Sequence, residues 1–195
     1  MRTLFITLVL ISSMFAQSAD SELKKLQDKF ASIENFTAEF EQNANSFGDN
    51  KKAKGKFFYS KGNKFRIEFG DQIICSDGKT VWNFNSSEKR VVINRLDDQP
   101  GIFSIDKYIT EFSKFCDVEK ISNGIRLKNC KDDNSFYNSI DLSYSSNYML
   151  ASVDIKDNMN NRYAFKLVNL IENKLKDNSV FNLKIPEGVR VIDLR

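Results

Sequence analysis

From Phe36 onward the apolar residues of this 195-residue chain recur at every second position, and that alternation restricts the fold more than any other feature. Phe36, Ala38 and Phe40 alternate with Thr37, Glu39 and Glu41. Phe57 and Tyr59 alternate with Phe58 and Ser60, and Phe65, Ile67 and Phe69 with Arg66 and Glu68. Successive side chains of a strand point to opposite faces, so a period of two marks a half-buried β-strand. Turn-forming sequences recur at short spacing: Gly70-Asp71, Ser76-Asp77-Gly78-Lys79, Ser86-Ser87-Glu88, Ser122-Asn123-Gly124, Lys131-Asp132-Asp133-Asn134, Ser145-Ser146-Asn147 and Asn158-Met159-Asn160-Asn161. The β-prone runs between them number about eleven, which predicts one large antiparallel sheet or barrel. No Pro-, Gly- or Ser-rich linker divides them, so residues 19–195 are expected to form a single domain.

Two stretches break the alternation. Leu23, Leu26, Phe30 and Ile33 are spaced by three, four and three, which predicts a helix from Ser21 to Ile33 with Ser21 as its N-cap. After Pro100-Gly101, the residues Ile102, Phe103, Ile105, Ile109 and Phe112 return to helical spacing. This segment is expected to plug one end of a barrel or to lie as a lid over a cavity. A barrel of about eleven strands is wider than the ~8 whose side chains fill the interior. Two short helices cover only part of such a sheet, so a residual apolar cavity is expected.

Residues 1–18 have the pattern of a cleaved export signal. Arg2 is followed by an apolar run from Leu4 to Phe15, and Ala16-Gln17-Ser18 suits cleavage before Ala19. The run is shorter than the ~20 apolar residues of a membrane-spanning helix. No cysteine precedes Cys75, so there is no acylation site behind the leader, and the mature chain is expected free in the periplasm. Cysteines fit an oxidising compartment. Cys116 and Cys130 are equidistant from Asn123 and are expected to bond across a hairpin, leaving Cys75 as a small buried apolar residue.

The chain has no histidine, which removes the commonest general base and metal ligand. Its 29 basic and 26 acidic residues are interleaved, unlike the basic patches of a nucleic-acid surface. Asp77, Asp132 and Asp133 fall in turns, where Asp bonds its own backbone. There is no Cys-x-x-Cys, no EF-hand loop, no glycine-rich phosphate loop and no nucleophile elbow. No enzyme activity, metal or cofactor is expected.

Four segments, in order, resemble a known family. They are Asn35-Phe36-Thr37-Ala38-Glu39-Phe40-Glu41-Gln42; Gly55 to Arg66; Ser76-Asp77-Gly78-Lys79-Thr80-Val81-Trp82 with Phe84-Asn85; and Phe181 to Asp193, which includes Ile185-Pro186-Glu187-Gly188-Val189. Together they are similar to the LolA/LolB-like family of lipoprotein carriers. The resemblance implies a mainly β (α+β) fold, an unclosed antiparallel β-barrel with a helical lid. It implies a soluble monomeric carrier for the acyl chains of outer-membrane lipoproteins. Cargo would come from an inner-membrane ABC release complex (LolCDE-like) and pass to an anchored receptor (LolB-like) or to the outer membrane itself. A shuttle for a free lipid or glycolipid on the same scaffold is the alternative. The cavity is expected to be lined by Phe40, Phe57, Tyr59, Phe65, Ile67, Phe69, Trp82 and Phe84. Ile102, Phe103, Ile105, Ile109 and Phe112 would form the lid. The family commonly has Arg-Pro where this chain has Lys61-Gly62, and in its best-known type that Arg controls opening. Gating is therefore expected from Lys61 or from nearby Arg66.

Overall fold

The structure is a computed structural model that describes residues 19–46, 49–97, 105, 107–131 and 137–195. The expected leader, Ile102, Phe103 and the Asp132-Asp133 turn lie outside these residues, as does the side chain of Phe112. Helix α1 covers residues 19–32. Among the described residues twelve strands follow: β1 (Asn35–Ser46), β2 (Asp49–Ser60), β3 (Lys64–Phe69), β4 (Gln72–Asp77), β5 (Thr80–Asn85), β6 (Arg90–Arg95), β7 (Asp117–Ile121), β8 (Gly124–Lys128), β9 (Tyr137–Tyr144), β10 (Leu150–Asp157), β11 (Arg162–Glu172) and β12 (Arg190–Asp193). They form one open sheet in the order β12-β6-β5-β4-β3-β2-β1-β11-β10-β9-β8-β7. Among the pairings described, β12 runs parallel to β6 and departs from the expected antiparallel pattern. The chain divides into two compact units whose segments interleave along the sequence.

The first unit comprises α1 and residues 108–165, with residues 44–50. Leu23, Leu26 and Phe30 of α1 are buried, as their spacing requires. The helix is already formed at Ala19, so Ser21 lies inside it rather than capping it. Ile125 and Leu127 on β8, Ile140 and Leu142 on β9, and Val153 and Ile155 on β10 stand opposite one another in register and form one buried face. The β7–β8 turn is the two residues Ser122-Asn123, because Ile121 pairs with Gly124. That register places Asp117 opposite Lys128. It would leave Cys116 facing Asn129, one residue short of its expected partner. Asn129 takes a left-handed φ of 51° and absorbs the extra residue. Cys116 and Cys130 are disulfide-bonded beyond it.

α1 is tied to the β9–β10 turn by polar contacts. The Tyr144 hydroxyl donates to Glu22 Oε2 at 2.8 Å, and the Lys25 ammonium sits 5.3 Å from the centre of the Tyr148 ring. The Tyr144 bond, and more weakly Lys25, hold the Glu22 carboxyl below its ordinary range against the opposing effect of burial.

The second unit comprises residues 33–43, 51–107 and 166–195. Its strands β2 to β6 form an up-and-down meander. The β2–β3 connection is Lys61-Gly62-Asn63, with Gly62 at φ 82° and Asn63 at φ 58°. A proline is locked near φ −65°. Gly62, at φ 82°, therefore holds a turn that a proline could not form.

Candidate functional site

Register decides which side chains of the second unit share a face. Phe57 stands opposite Ile67, and Tyr59 opposite Phe65. Across the next strand, Ile67 stands opposite Ile74 and Phe65 opposite Ser76, which in turn faces Val81. β1 joins this face through Phe36, whose ring stacks on Tyr59 at 4.9 Å and meets Phe57 edge-on at 5.6 Å. Phe40 meets Phe69 edge-on at 5.9 Å. Gly55 makes room for Phe40: a Cβ there would lie 2.7 Å from the ring. One aromatic face thus runs over β1, β2 and β3. Its residues Phe40, Phe57, Tyr59, Phe65 and Ile67 are between 2% and 5% exposed.

Trp82 and Phe84, grouped with these residues in the sequence reading, lie on the reverse face. Val81 faces Ser76, so its neighbour Trp82 faces Cys75, and Phe84 faces Ile73. Trp82 and Phe84 then meet Ile93 and Val91 of β6 across the next pairing. Phe84, Val91 and Ile93 form a buried cluster, packed by Ile73, Trp82, Leu183 and Val189. The last two come from the segment between a 3-10 turn at Ser179–Phe181 and β12. This segment straps the reverse face. The Cys75 thiol donates to the Phe181 carbonyl at 3.1 Å, and Arg66 Nη1 donates to the Val180 carbonyl at 3.3 Å. Burial pushes the Cys75 thiol up to about 11, with Arg66 opposing.

The two expected gating residues have other partners. Arg66 alternates with Phe65 and therefore belongs to the reverse face. There it also pairs with Glu68 at 2.6 Å. Lys61 pairs with Glu34 at 2.6 Å, and its backbone N–H donates to the Glu34 carbonyl. Asp77 serves its own turn, since Oδ1 accepts from the backbone N–H groups of Lys79 and Thr80.

Of the expected lid, Ile105 is buried. Lys107–Glu111 is a short π-helical stretch that passes into a 3-10 turn at Phe112–Lys114. Tyr108 and Ile109 are fully buried. In the first unit this stretch is bonded to α1: Gln27 Nε2 donates to the Ile109 carbonyl at 3.0 Å and to Ser113 Oγ at 3.3 Å.

The sequence reading missed Phe36, Ile74 and Val81 as members of the aromatic face. Phe36 was legible, being in phase with Phe40. Ile74 and Val81 required the register across two turns.

A family model described as outer membrane lipoprotein carrier protein LolA matches residues 31–184. An outer-membrane lipoprotein carrier protein of Francisella philomiragia is 25% identical, over 97% of this chain and 96% of its own length. Another, from Actinobacillus succinogenes, is 26% identical over 99% of this chain and 94% of its own. Among solved structures, an uncharacterized conserved protein from Thermus thermophilus shares the fold, with a TM-score of 0.55 at 13% identity. That match covers 90% of this chain and 99% of the other.

Proposed function

The chain belongs to the LolA family of outer membrane lipoprotein carrier proteins, and from that premise we propose that it carries lipoprotein acyl chains through the periplasm on the aromatic face of β1, β2 and β3. One observation carries the reading. Phe36, Phe40, Phe57, Tyr59, Phe65 and Phe69 bring six rings from three adjacent strands onto a single face. Within the second unit the reverse face is strapped by the chain's own segment 179–193.

The physical task is to keep acyl chains out of water. Each methylene removed from water is worth about 0.8 kcal/mol, so a lipoprotein's acyl chains do not leave a membrane unless an equivalent apolar surface receives them. Rings suit this role, because they offer large apolar area with few rotatable bonds. The reading requires no bond making or breaking. Export by the leader at residues 1–18 would place the chain between the membranes. It would take cargo from an inner-membrane ABC release complex and yield it to a lipid-anchored receptor or to the outer membrane.

The test is a release assay. Spheroplasts making a labelled outer-membrane lipoprotein are incubated with the purified mature protein, and the supernatant is tested for lipoprotein co-eluting with it. Release is expected, and it is expected to be lost when Ile67 or Phe65 is changed to Asp. No release, beside release by an authentic carrier from the same cells, would overturn the lipoprotein reading in favour of a free-lipid shuttle.

A further inference from the structure

We propose that the second unit takes acylated phosphates as a further ligand class, with the acyl chain on the aromatic face and the phosphate held by Arg90 and Arg190 at the far edge of that same face. The inference rests on the carrier reading above for the acyl chain and adds the head group that the chain brings with it.

Register continues the aromatic face of β1 to β3 into a polar one. Phe69 of β3 stands opposite Gln72 of β4, and Gln72 opposite Asn85 of β5. Asn85 stands opposite Arg90 of β6, and Arg90 opposite Arg190 of β12. Residues opposite one another across a ladder share a face, so this row passes from a ring through two amides to two guanidiniums. The row beside it runs from Ile67 through Ile74 to Asn83. Burial follows the chemistry: Ile67 and Ile74 are buried, whereas Asn83, Arg90 and Arg190 are exposed. The change falls along β5. Neighbouring strands lie ~4.8 Å apart, so the arginines stand about 14 and 19 Å across the sheet from Phe69.

Like charges directly opposite on neighbouring strands repel. Backbone pairing nonetheless fixes these two side by side, since the Arg190 N–H donates to the Lys89 carbonyl at 2.8 Å. Arg90 Nη2 meets Glu88 Oε2 at 2.7 Å. Among the described residues no carboxylate pairs with Arg190, and Glu187, in the turn before β12, bonds to neither guanidinium. Asn85 is committed to its own turn, where Oδ1 accepts from Ser87 Oγ and from the Glu88 N–H. The donors left at the end of the row are therefore the two guanidiniums, with one carboxylate between them. Each is a planar fork of N–H groups that matches phosphate oxygens. The oxygens of a phosphate are tetrahedral and accept forks from two sides, whereas a single fork fills the plane of a carboxylate. A phosphate whose acyl chain lies on the adjoining rings would relieve the repulsion and satisfy both forks.

The test compares two lipids with the same chain, palmitoyl-lysophosphatidylglycerol and monopalmitoylglycerol, each titrated below its micelle concentration into delipidated mature protein at low salt. The wild type is expected to bind the phosphate lipid roughly tenfold tighter, the low end for hydrogen bonds to a charged group. In Arg190→Gln that ratio should fall to about twofold, with Arg190→Lys between, since a lysine keeps the charge and loses the fork. The ratio should also shrink as salt is added. Thermal stability should not fall in Arg190→Gln, because the substitution removes a like-charge contact. Equal affinity for the two lipids in the wild type would overturn the proposal, and so would a preference that survives Arg190→Gln. Displacement of the bound lysolipid by inorganic phosphate would assign the arginines to the free anion and overturn the acylated class. If the preference holds while spheroplasts release no lipoprotein, the phosphate site stands and the lipoprotein reading falls. If lipoprotein is released and the preference is absent, this inference falls alone.

Discussion

Strands β3, β4 and β5 present two apolar faces, both buried, of which the reverse one is closed by the chain's own segment 179–193. One carries Phe65, Ile67, Ile74 and Val81, continued by the rings of β1 and β2. The other carries Cys75, Trp82 and Phe84, closed by Leu183, Val189 and β12. The difference between them is the cover. On the reverse face it is fastened by backbone pairing of β12 with β6, by an arginine bond and by a thiol bond. A cover held at three kinds of contact is built to stay. An apolar residue's place in a strand therefore says little about its role until the thing lying over it is known.

Four substitutions or measurements would break or sharpen that contrast. The largest effect is expected from Phe84→Ala, which hollows the strapped face and should cost about 3 kcal/mol of stability. Thermal unfolding would show it as a fall of roughly 10 °C, while lipoprotein release per folded molecule stays at the wild-type level. Lost release in this variant would put Phe84 back among the cargo-binding residues. Arg66→Ala removes the ties to Val180 and Glu68 and should cost about 1 kcal/mol, again with release intact. A changed release rate without a stability change would instead make Arg66 a gate. Third, the Cys75 thiol should resist alkylation at pH 8 in the native protein. Its folded value of about 11 lies above the ordinary 9.0, so it contributes stability below pH 9 that is lost as the pH rises towards 11. Alkylation and unfolding should accelerate together over that range; fast labelling at pH 8 would mean that the strap opens. The smallest effect belongs to Lys61→Ala. Its pair with Glu34 is exposed on both sides, and its loss should shift stability by less than about 0.5 kcal/mol. A large effect on cargo release would return the gating role to that turn.

Much of this was legible in the residues alone. Alternation from Phe36 onward announced strands, and α1's face was given by Leu23, Leu26, Phe30 and Ile33. What could not be read was parity across turns. Phe65 and Trp82 both belong to well-patterned strands, yet the two-residue turns at Gly70-Asp71 and Gly78-Lys79 set Phe65 opposite Ser76 and Ser76 opposite Val81. A slip of one residue would have put Trp82 there instead. The β7–β8 hairpin makes the same point in reverse. The counting that paired Cys116 with Cys130 assumed a turn centred on Asn123, whereas the ladder is offset by one and Asn129 restores the pairing. The partners of Lys61 and Arg66 were harder still to read, because Glu34 and Val180 lie far along the chain, where local spacing does not display them.

The parallel pairing of β12 with β6 has a consequence for how the chain reaches its native state. Arg190 pairs with Arg90, so the cover lies a hundred residues beyond the face it closes. Contacts so distant along a chain form late, after the loop between them has been collected at an entropic cost that local hairpins escape. The β4–β6 hairpins can assemble early, and until β12 arrives they show Trp82, Phe84, Val91 and Ile93 to whatever is nearby. A protein whose trade is holding grease thus passes through a stage at which it is sticky on the wrong side. Slow docking of its final strand, rather than weakness of the finished fold, is where aggregation would begin.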